Sequence, residues 1–235
     1  FLSSVLVIRN LPKANYGEYV SANNIYSYLI IFSGLGLVNA ILQFCSENVS
    51  QKRKASIYSY SFWKGNLFNV FLGLLVIAGS IYSQQFIGSQ ASRYLFLMFG
   101  LPMVNYFNSY CQIVLRVQRN NFHYAIINIV YAVSMVVGNL VLTKILDVEG
   151  LIYATYTANI VAAIVGFFLL RWNNFLLHVH TEKSILSSAE KKEILKYSVL
   201  CTLTNFTSTA LVLIDVTCLN LFSVDSEVLA DYKIA

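Results

Sequence analysis

Long apolar blocks separated by short polar connections are the feature of this sequence that most restricts its fold. Each block runs for about 20 residues, which at about 1.5 Å per residue matches a hydrocarbon core of roughly 30 Å. Inside lipid every backbone N–H and C=O must be satisfied within the segment, and the blocks lack the strict apolar/polar alternation of a membrane barrel strand. We therefore predict an all-α fold, a polytopic bundle of transmembrane helices.

Composition agrees with a membrane protein. Hydrophobic residues make up 57% of the chain and charged residues 11%, whereas a soluble domain carries roughly 25% charge. So few charges cannot cover a surface that faces water. The chain opens at Phe1 without a methionine and closes at Ala235 in what reads as another span, so we expect both ends to be cut.

The blocks predict seven spans and the start of an eighth near Leu229. Bends are expected at Gly34, Gly36 and Pro102. A serine at 187 or 188 is placed to cap a short helix that leads into the seventh span. The predicted spans are 1–8 (truncated), 19–44, 63–82, 94–115, 122–142, 151–170 and 197–222.

Basic residues predict the orientation of the spans. The connections after the second, fourth and sixth spans hold 11 of the 16 Lys and Arg residues. The positive-inside rule places that side, and the N-terminus, in the cytoplasm. This anchoring charge accounts for the net charge of +5, so we expect no nucleic-acid partner.

Polar side chains recur within the spans at steps of three or four residues, which places them on one helical face. A single amide is explained by helix packing, where one hydrogen bond contributes about 0.6 kcal/mol. Several stripes with cationic ends favour a hydrated cavity. The stripes comprise Lys64, Asn66 and Asn69 in the third span, Asn105, Asn108, Gln112, Arg116 and Arg119 in the fourth, Asn121, Tyr124, Asn128 and Tyr131 in the fifth, and Tyr156 and Asn159 in the sixth.

The seventh span carries the richest stripe. Its members fall within about 20° of one line at about 100° per residue, with Asn205 beside them. We expect this side to face water or protein and the opposite side to face lipid. The stripe comprises Tyr197, Thr204, Ser208 and Asp215, and the opposite side comprises Val199, Phe206 and Leu213.

Charged residues within or beside the spans have alternative interpretations. A carboxylate deep in a span costs about 2.5 to 3.5 kcal/mol, so Asp215 either binds a coupling cation or proton, pairs with Arg9, or lies partly wet near the outer interface. Arg116 and Arg119 either bind pyrophosphate through their guanidinium forks or anchor the cytoplasmic side. Lys64 and Arg9 also lie near the ends of spans and have the same two interpretations. Arg9 is on the outer side, where the positive-inside rule does not explain a cation.

Signatures of nucleotide hydrolysis and covalent catalysis are absent from the sequence: there is no P-loop, nucleophile elbow or paired-His zinc motif. We expect no enzymatic activity, no metal and no cofactor. Transport would then draw on an ion gradient, of protons or sodium, or on the gradient of the substrate.

Several short motifs resemble one family of transporters. They are residues 7–19 (VIRNLPKANYGEY), the glycine pair at 34–37, residues 115–119 (LRVQR), residues 195–198 (LKYS) and Ile214-Asp215. The chain resembles the polysaccharide-transport (O-antigen type) flippases of the multidrug/oligosaccharidyl-lipid/polysaccharide exporter superfamily. The likeness extends over the whole chain.

The resemblance implies a fold and a function. It implies two helix bundles around a central cavity, here a first six-helix bundle (1–171), a cytoplasmic linker with a short amphipathic helix (172–196) and the start of a second, pseudo-repeated bundle (197–235). Residues 17–22 (GEYVSA) align with 230–235 (ADYKIA), as expected for such a repeat.

The implied substrate is an undecaprenyl-pyrophosphate-linked oligosaccharide, which is flipped outward across the bacterial inner membrane by alternating access. The resemblance also implies that cationic residues of the cavity bind the pyrophosphate, and by their positions these are Arg9 and Lys64. The polar stripes add further predicted substrate-binding residues, and Asp215 is predicted to serve ion coupling. The added substrate-binding residues are Asn105, Asn108, Gln112, Arg116, Asn128, Tyr131 and Asn205.

Two alternatives remain from the sequence. A multidrug antiporter of the same superfamily needs an acidic cavity, and Asp215 is the only clear acid within a span. A membrane-embedded glycosyltransferase or ligase needs a long outer loop that bears acids, His or Arg, and the outer connections here are short.

Overall fold

A computed structural model describes residues 11–45, 49–172, 186–222 and 226–234. These parts are almost entirely helical and contain no strand, which confirms the all-α prediction. The helices are α1 (Lys13–Ile30), a 3-10 turn (Ser33–Gly36), α2 (Leu37–Phe44), α3 (Gln51–Ile87), α4 (Ser89–Leu97), α5 (Leu101–Val117), α6 (Asn121–Leu146), α7 (Glu149–Trp172), α8 (Ser188–Leu221) and α9 (Ser226–Ile234).

Within the described parts, five helical stretches are long and apolar enough to cross a membrane. They match the second, third, fifth, sixth and seventh predicted spans. The fourth predicted span falls on α4 and α5, which are separated by a turn over residues 98–100. The first predicted span lies outside the described residues. The five stretches are Lys13–Phe44, Gln51–Gln85, Asn121–Leu146, Glu149–Arg171 and Ser188–Asn220.

The helical stretch from Lys13 to Phe44 is broken near its middle, at the predicted bend. Gly34 and Gly36 have φ values of 58° and 67°, and Leu35 between them has 49°. These left-handed values are routine for glycine and costly for a leucine, so the surrounding contacts must hold the segment. Asn69 of α3 does so, because its Oδ1 accepts hydrogen bonds from the Ser33 hydroxyl and the Gly34 N–H, each at 3.0 Å.

Tyr106 of α5 packs into the space left by two glycines. A Cβ atom at Gly34 or at Gly65 would overlap the Tyr106 ring. The ring is 2% exposed, and its hydroxyl donates to the Ser61 carbonyl oxygen at 2.6 Å. The missing side chains therefore let α5 approach both α3 and the broken helix closely.

Two ion pairs join connections on opposite ends of the bundle. Arg93 and Glu149, 2.7 Å apart, link α4 to the start of α7. Arg53 and Glu190, 2.9 Å apart, link the start of α3 to the start of α8. Each pair joins segments that the positive-inside analysis places on the same side, the first outer and the second cytoplasmic.

The helix that precedes the seventh span begins where the sequence predicts. Ser187 accepts from the Glu190 N–H at 3.2 Å, and the Glu190 carboxylate accepts from the Ser187 N–H at 2.8 Å. This reciprocal capping box satisfies two otherwise free donors. The helix then runs unbroken to Leu221, so its first turns are part of α8 rather than a separate element. Residues 173–185 of the predicted linker lie outside the described residues.

The outer surface of the bundle is apolar. Large hydrophobic side chains are exposed along α3 and α6, as expected for helices that face lipid tails. Leu67 is 65% exposed, Val133 57% and Ile145 71%. A bilayer would cover these side chains.

Candidate functional site: polar faces of the membrane helices

The predicted stripe of α8 lies on an open face of the molecule. Thr204, Asn205, Ser208 and Asp215 are all exposed. The hydroxyls of Thr204 and Ser208 donate to backbone carbonyls four residues earlier, at 3.1 and 3.2 Å. Their hydrogen bonds are thus met within the helix, while both side chains remain exposed. Tyr197, the stripe's first member, instead packs edge-on against Phe44.

The side of α8 opposite the stripe packs against α1, and the prediction that it faces lipid is wrong for Phe206. The Phe206 ring lies 6.2 Å from that of Tyr28 and 5.6 Å from that of Phe32. Helical periodicity shows which residues share a face, but it does not show which face meets a neighbouring helix. The exposed apolar residues of α8 lie between the two sides and include Leu200, Leu203 and Ile214.

Asp215 has a partner in the next helix along the chain. The Tyr232 hydroxyl of α9 donates to Asp215 Oδ2 at 2.9 Å. Close by in the sequence, Asp231 forms an ion pair with Lys13 of α1 at 2.9 Å. The ends of α1, α8 and α9 therefore meet in a polar region. Arg9, the partner proposed for Asp215, lies outside the described residues.

A row of hydrogen bonds joins α1 to α8 and was missed by the sequence reading. Ser21 donates to Asn220 Oδ1 at 2.7 Å. Thr217 donates to Asn24 Oδ1 at 3.1 Å, and its hydroxyl lies 2.9 Å from that of Tyr28. The signal was present, because Ser21, Asn24 and Tyr28 recur at steps of three and four along α1.

The amides of α5 and α7 form a buried chain. Asn108 donates to Asn159 Oδ1 at 3.2 Å, and Gln112 donates to Asn108 Oδ1 at 3.3 Å. Asn108 is 3% exposed and Asn159 2%. In this structure these amides connect two helices, as the packing alternative for a single amide expects. A substrate role for Asn108 and Gln112 stays a prediction.

The remaining predicted residues are dispersed. Lys64 and Arg116 are exposed and Asn105 is half-buried. Asn128 donates to the carbonyl of Tyr124 in its own helix at 2.9 Å, and Tyr131 packs against the main apolar core. The structure therefore brings together Asn108 with Gln112, and it places Asn205 and Asp215 on the open side of α8.

A second acid near a helix end was also missed. Glu18 lies in the second turn of α1, and its Oε2 atom is buried without a hydrogen bond to any described residue. The sequence reading placed the span boundary at residue 19, so Glu18 was assigned to the connection. The structure begins the helix at Lys13.

Comparison with known proteins gives the family. A model of the polysaccharide biosynthesis protein family matches residues 1–235, the whole chain. The chain belongs to this family. Neither a curated protein nor a solved structure matches it. Membership in the polysaccharide biosynthesis family, together with the apolar helices, identifies a multi-pass membrane protein with a role in polysaccharide synthesis or export.

The family match also covers α8 and α9, so the open stripe belongs to the same family unit as α1 to α7. No group of three or more His, Cys, Asp or Glu residues suited to a metal ion occurs among the described residues. The polar groups of the described helices include hydroxyls and amides, which are suited to reversible binding of a polar ligand.

Proposed function

We propose that this chain is part of a flippase that moves a polyprenyl-pyrophosphate-linked oligosaccharide across the bacterial inner membrane by alternating access. Family membership supports a role in polysaccharide synthesis or export. The observation that carries the finer proposal is the open polar stripe of α8, on a helix that is otherwise apolar enough to cross the membrane.

The stripe is costly if it faces lipid. An ionised carboxylate costs about 2.5 to 3.5 kcal/mol at the centre of a span, and polar side chains within membranes normally face an interior or a water-filled path. Hydroxyl and amide groups at Thr204, Asn205 and Ser208 match the hydrogen-bonding groups of a sugar. In the proposed function this face of α8 lines the path of the oligosaccharide.

We assign binding of the pyrophosphate to cationic side chains. Guanidinium and ammonium groups bind phosphate oxygens strongly, and we assign Arg9 the main role, with Lys64 and Arg116 as further contacts. The two ion pairs agree with the proposed grouping of the connections on two sides of the membrane, and the positive-inside rule assigns the N-terminus to the cytoplasm. In this scheme Asp215 responds to a coupling ion, a proton or sodium.

Complementation of a flippase-deficient bacterial strain tests the proposal. The full-length protein carrying Asp215→Asn or Arg9→Ala is expected to reach the membrane in normal amount and to restore no surface polysaccharide. Asp147→Asn is the matched control, because it makes the same carboxylate-to-amide change at an exposed residue in the α6–α7 connection, and it should restore export fully. If both test variants restored normal surface polysaccharide, the assignment of Asp215 and Arg9 to the site would be wrong.

A further inference from the structure

An apolar groove runs along one side of the bundle, between α3, α5 and α7. Its volume is about 830 Å³, within the range of roughly 300 to 1,000 Å³ that is typical of sites for small ligands. Five aromatic side chains form most of its wall. They are Phe62, Trp63, Phe107, Phe167 and Phe168.

The wall of the groove is almost entirely apolar. Among the described residues that line it, only Asn66 and the indole N–H of Trp63 carry polar groups, and the Asn66 amide donates to the Phe62 carbonyl of its own helix at 2.8 Å. Trp63 is 64% exposed and Phe168 61%, so the groove is open toward the side that a bilayer would cover. Its occupant is therefore a hydrocarbon chain.

A cation follows the groove-lining residues of α7 in the sequence. At about 100° per residue, Arg171 falls on the same face of α7 as Phe167 and Phe168, one turn further along the helix. Arg171 is exposed. It belongs to a connection that the positive-inside analysis places in the cytoplasm. An apolar groove that ends at a guanidinium matches an amphiphile with an anionic head at the cytoplasmic interface.

We infer that this groove holds the polyprenyl chain of the lipid-linked substrate before translocation, with its phosphate end near Arg171. The inference rests on the proposed function. Each isoprene unit has a planar double bond and a methyl branch, which pack well against aromatic faces. These units also have fewer rotatable bonds than a saturated acyl chain of equal length, so less conformational entropy is lost on binding.

Photocrosslinking tests the inference in membranes that contain the full-length protein. The probe is a polyprenyl diphosphate with a photoreactive group on its hydrocarbon chain, and mass spectrometry identifies the labelled peptides. Label is expected on peptides from α3, α5 and α7 that line the groove. An excess of unlabelled polyprenyl diphosphate should remove it, whereas phosphatidylglycerol should not.

Two substitutions make the test specific. Ala163 lies in the groove wall and is 6% exposed, so Ala163→Phe should fill the groove and weaken labelling about tenfold, the effect of losing roughly two buried methylene groups. Val137→Phe adds a similar ring at a residue of α6 that is 54% exposed and should leave labelling unchanged. Arg171→Gln should weaken labelling by the diphosphate probe but not by the corresponding polyprenol, whereas Lys192→Gln should alter neither.

The outcomes separate this inference from the proposed function. Equal labelling of the wild type and the Ala163→Phe variant, or displacement by phosphatidylglycerol as effective as by polyprenyl diphosphate, would overturn the groove assignment. If export requires Asp215 while the groove stays unlabelled, the proposed function stands and the groove assignment fails. If the groove is labelled while the Asp215→Asn and Arg9→Ala variants still export polysaccharide, the assignment of Asp215 and Arg9 to the site fails and the groove assignment stands.

Discussion

The buried amides between α5 and α7 and the stripe of α8 consist of similar polar side chains in different environments. Asn108 and Asn159 are almost fully buried and bonded to each other, whereas Asn205 and Ser208 lie on an open face. In the first region a polar group finds its partner in a neighbouring helix. In the second region the hydroxyls bond only to their own backbone. Whether a polar residue in a span joins two helices or stays available to a ligand therefore depends on the residues that pack against it.

The largest expected effect is at the closely packed interior. Gly65→Ala should lower the free energy of unfolding by about 1 to 3 kcal/mol, because the new methyl group overlaps the buried Tyr106 ring. Gly79→Ala is the matched control in the same helix, since a Cβ there meets nothing within 4 Å. Thermal or denaturant unfolding in detergent measures both variants. Equal stability of the two would show that the Tyr106 contact is not tight.

A smaller effect is expected at the amide chain. A double-mutant cycle of Asn108→Ala and Asn159→Ala should give a coupling energy of about 0.6 kcal/mol, with an upper bound near 1.7 kcal/mol. The hydrogen bond between the two amides, at 3.2 Å, is its source. Additive single-variant losses would mean that the two amides do not stabilise each other.

The smallest effect on stability is expected at the open stripe. Asn205→Ala and Ser208→Ala remove exposed groups, so the free energy of unfolding should change by less than about 0.5 kcal/mol. Export should nevertheless fall, because both side chains contact the sugar in the proposed function. Normal export from the double variant would place the substrate elsewhere.

The sequence predicted elements whose causes are local. The apolar blocks determine the spans, the glycines at 34 and 36 determine the break, and a capping serine, Ser187, determines where α8 begins. Each of these features depends on residues close in the chain. The orientation and the repeat between 17–22 and 230–235 stay predictions.

Contacts between distant residues were not predictable in the same way. Tyr106 fits between Gly34 and Gly65, and Phe206 packs against Tyr28 of α1 and Phe32 just after it. Such pairings depend on how helices meet in three dimensions, which the period of a single helix does not contain. For the same reason the bond between Asn108 and Asn159 of α7 was not predicted from the sequence, and the substrate role of Asn108 stays a prediction.

Cysteine accessibility measures most directly whether the stripe of α8 faces water. In a full-length protein whose native cysteines have been replaced, the Ser208→Cys variant should react with a charged, membrane-impermeant maleimide. The Leu203→Cys variant should not, because Leu203 is an exposed apolar residue of the same helix that we assign to lipid. Unreactive thiols at both positions in every state of the transport cycle would contradict the account.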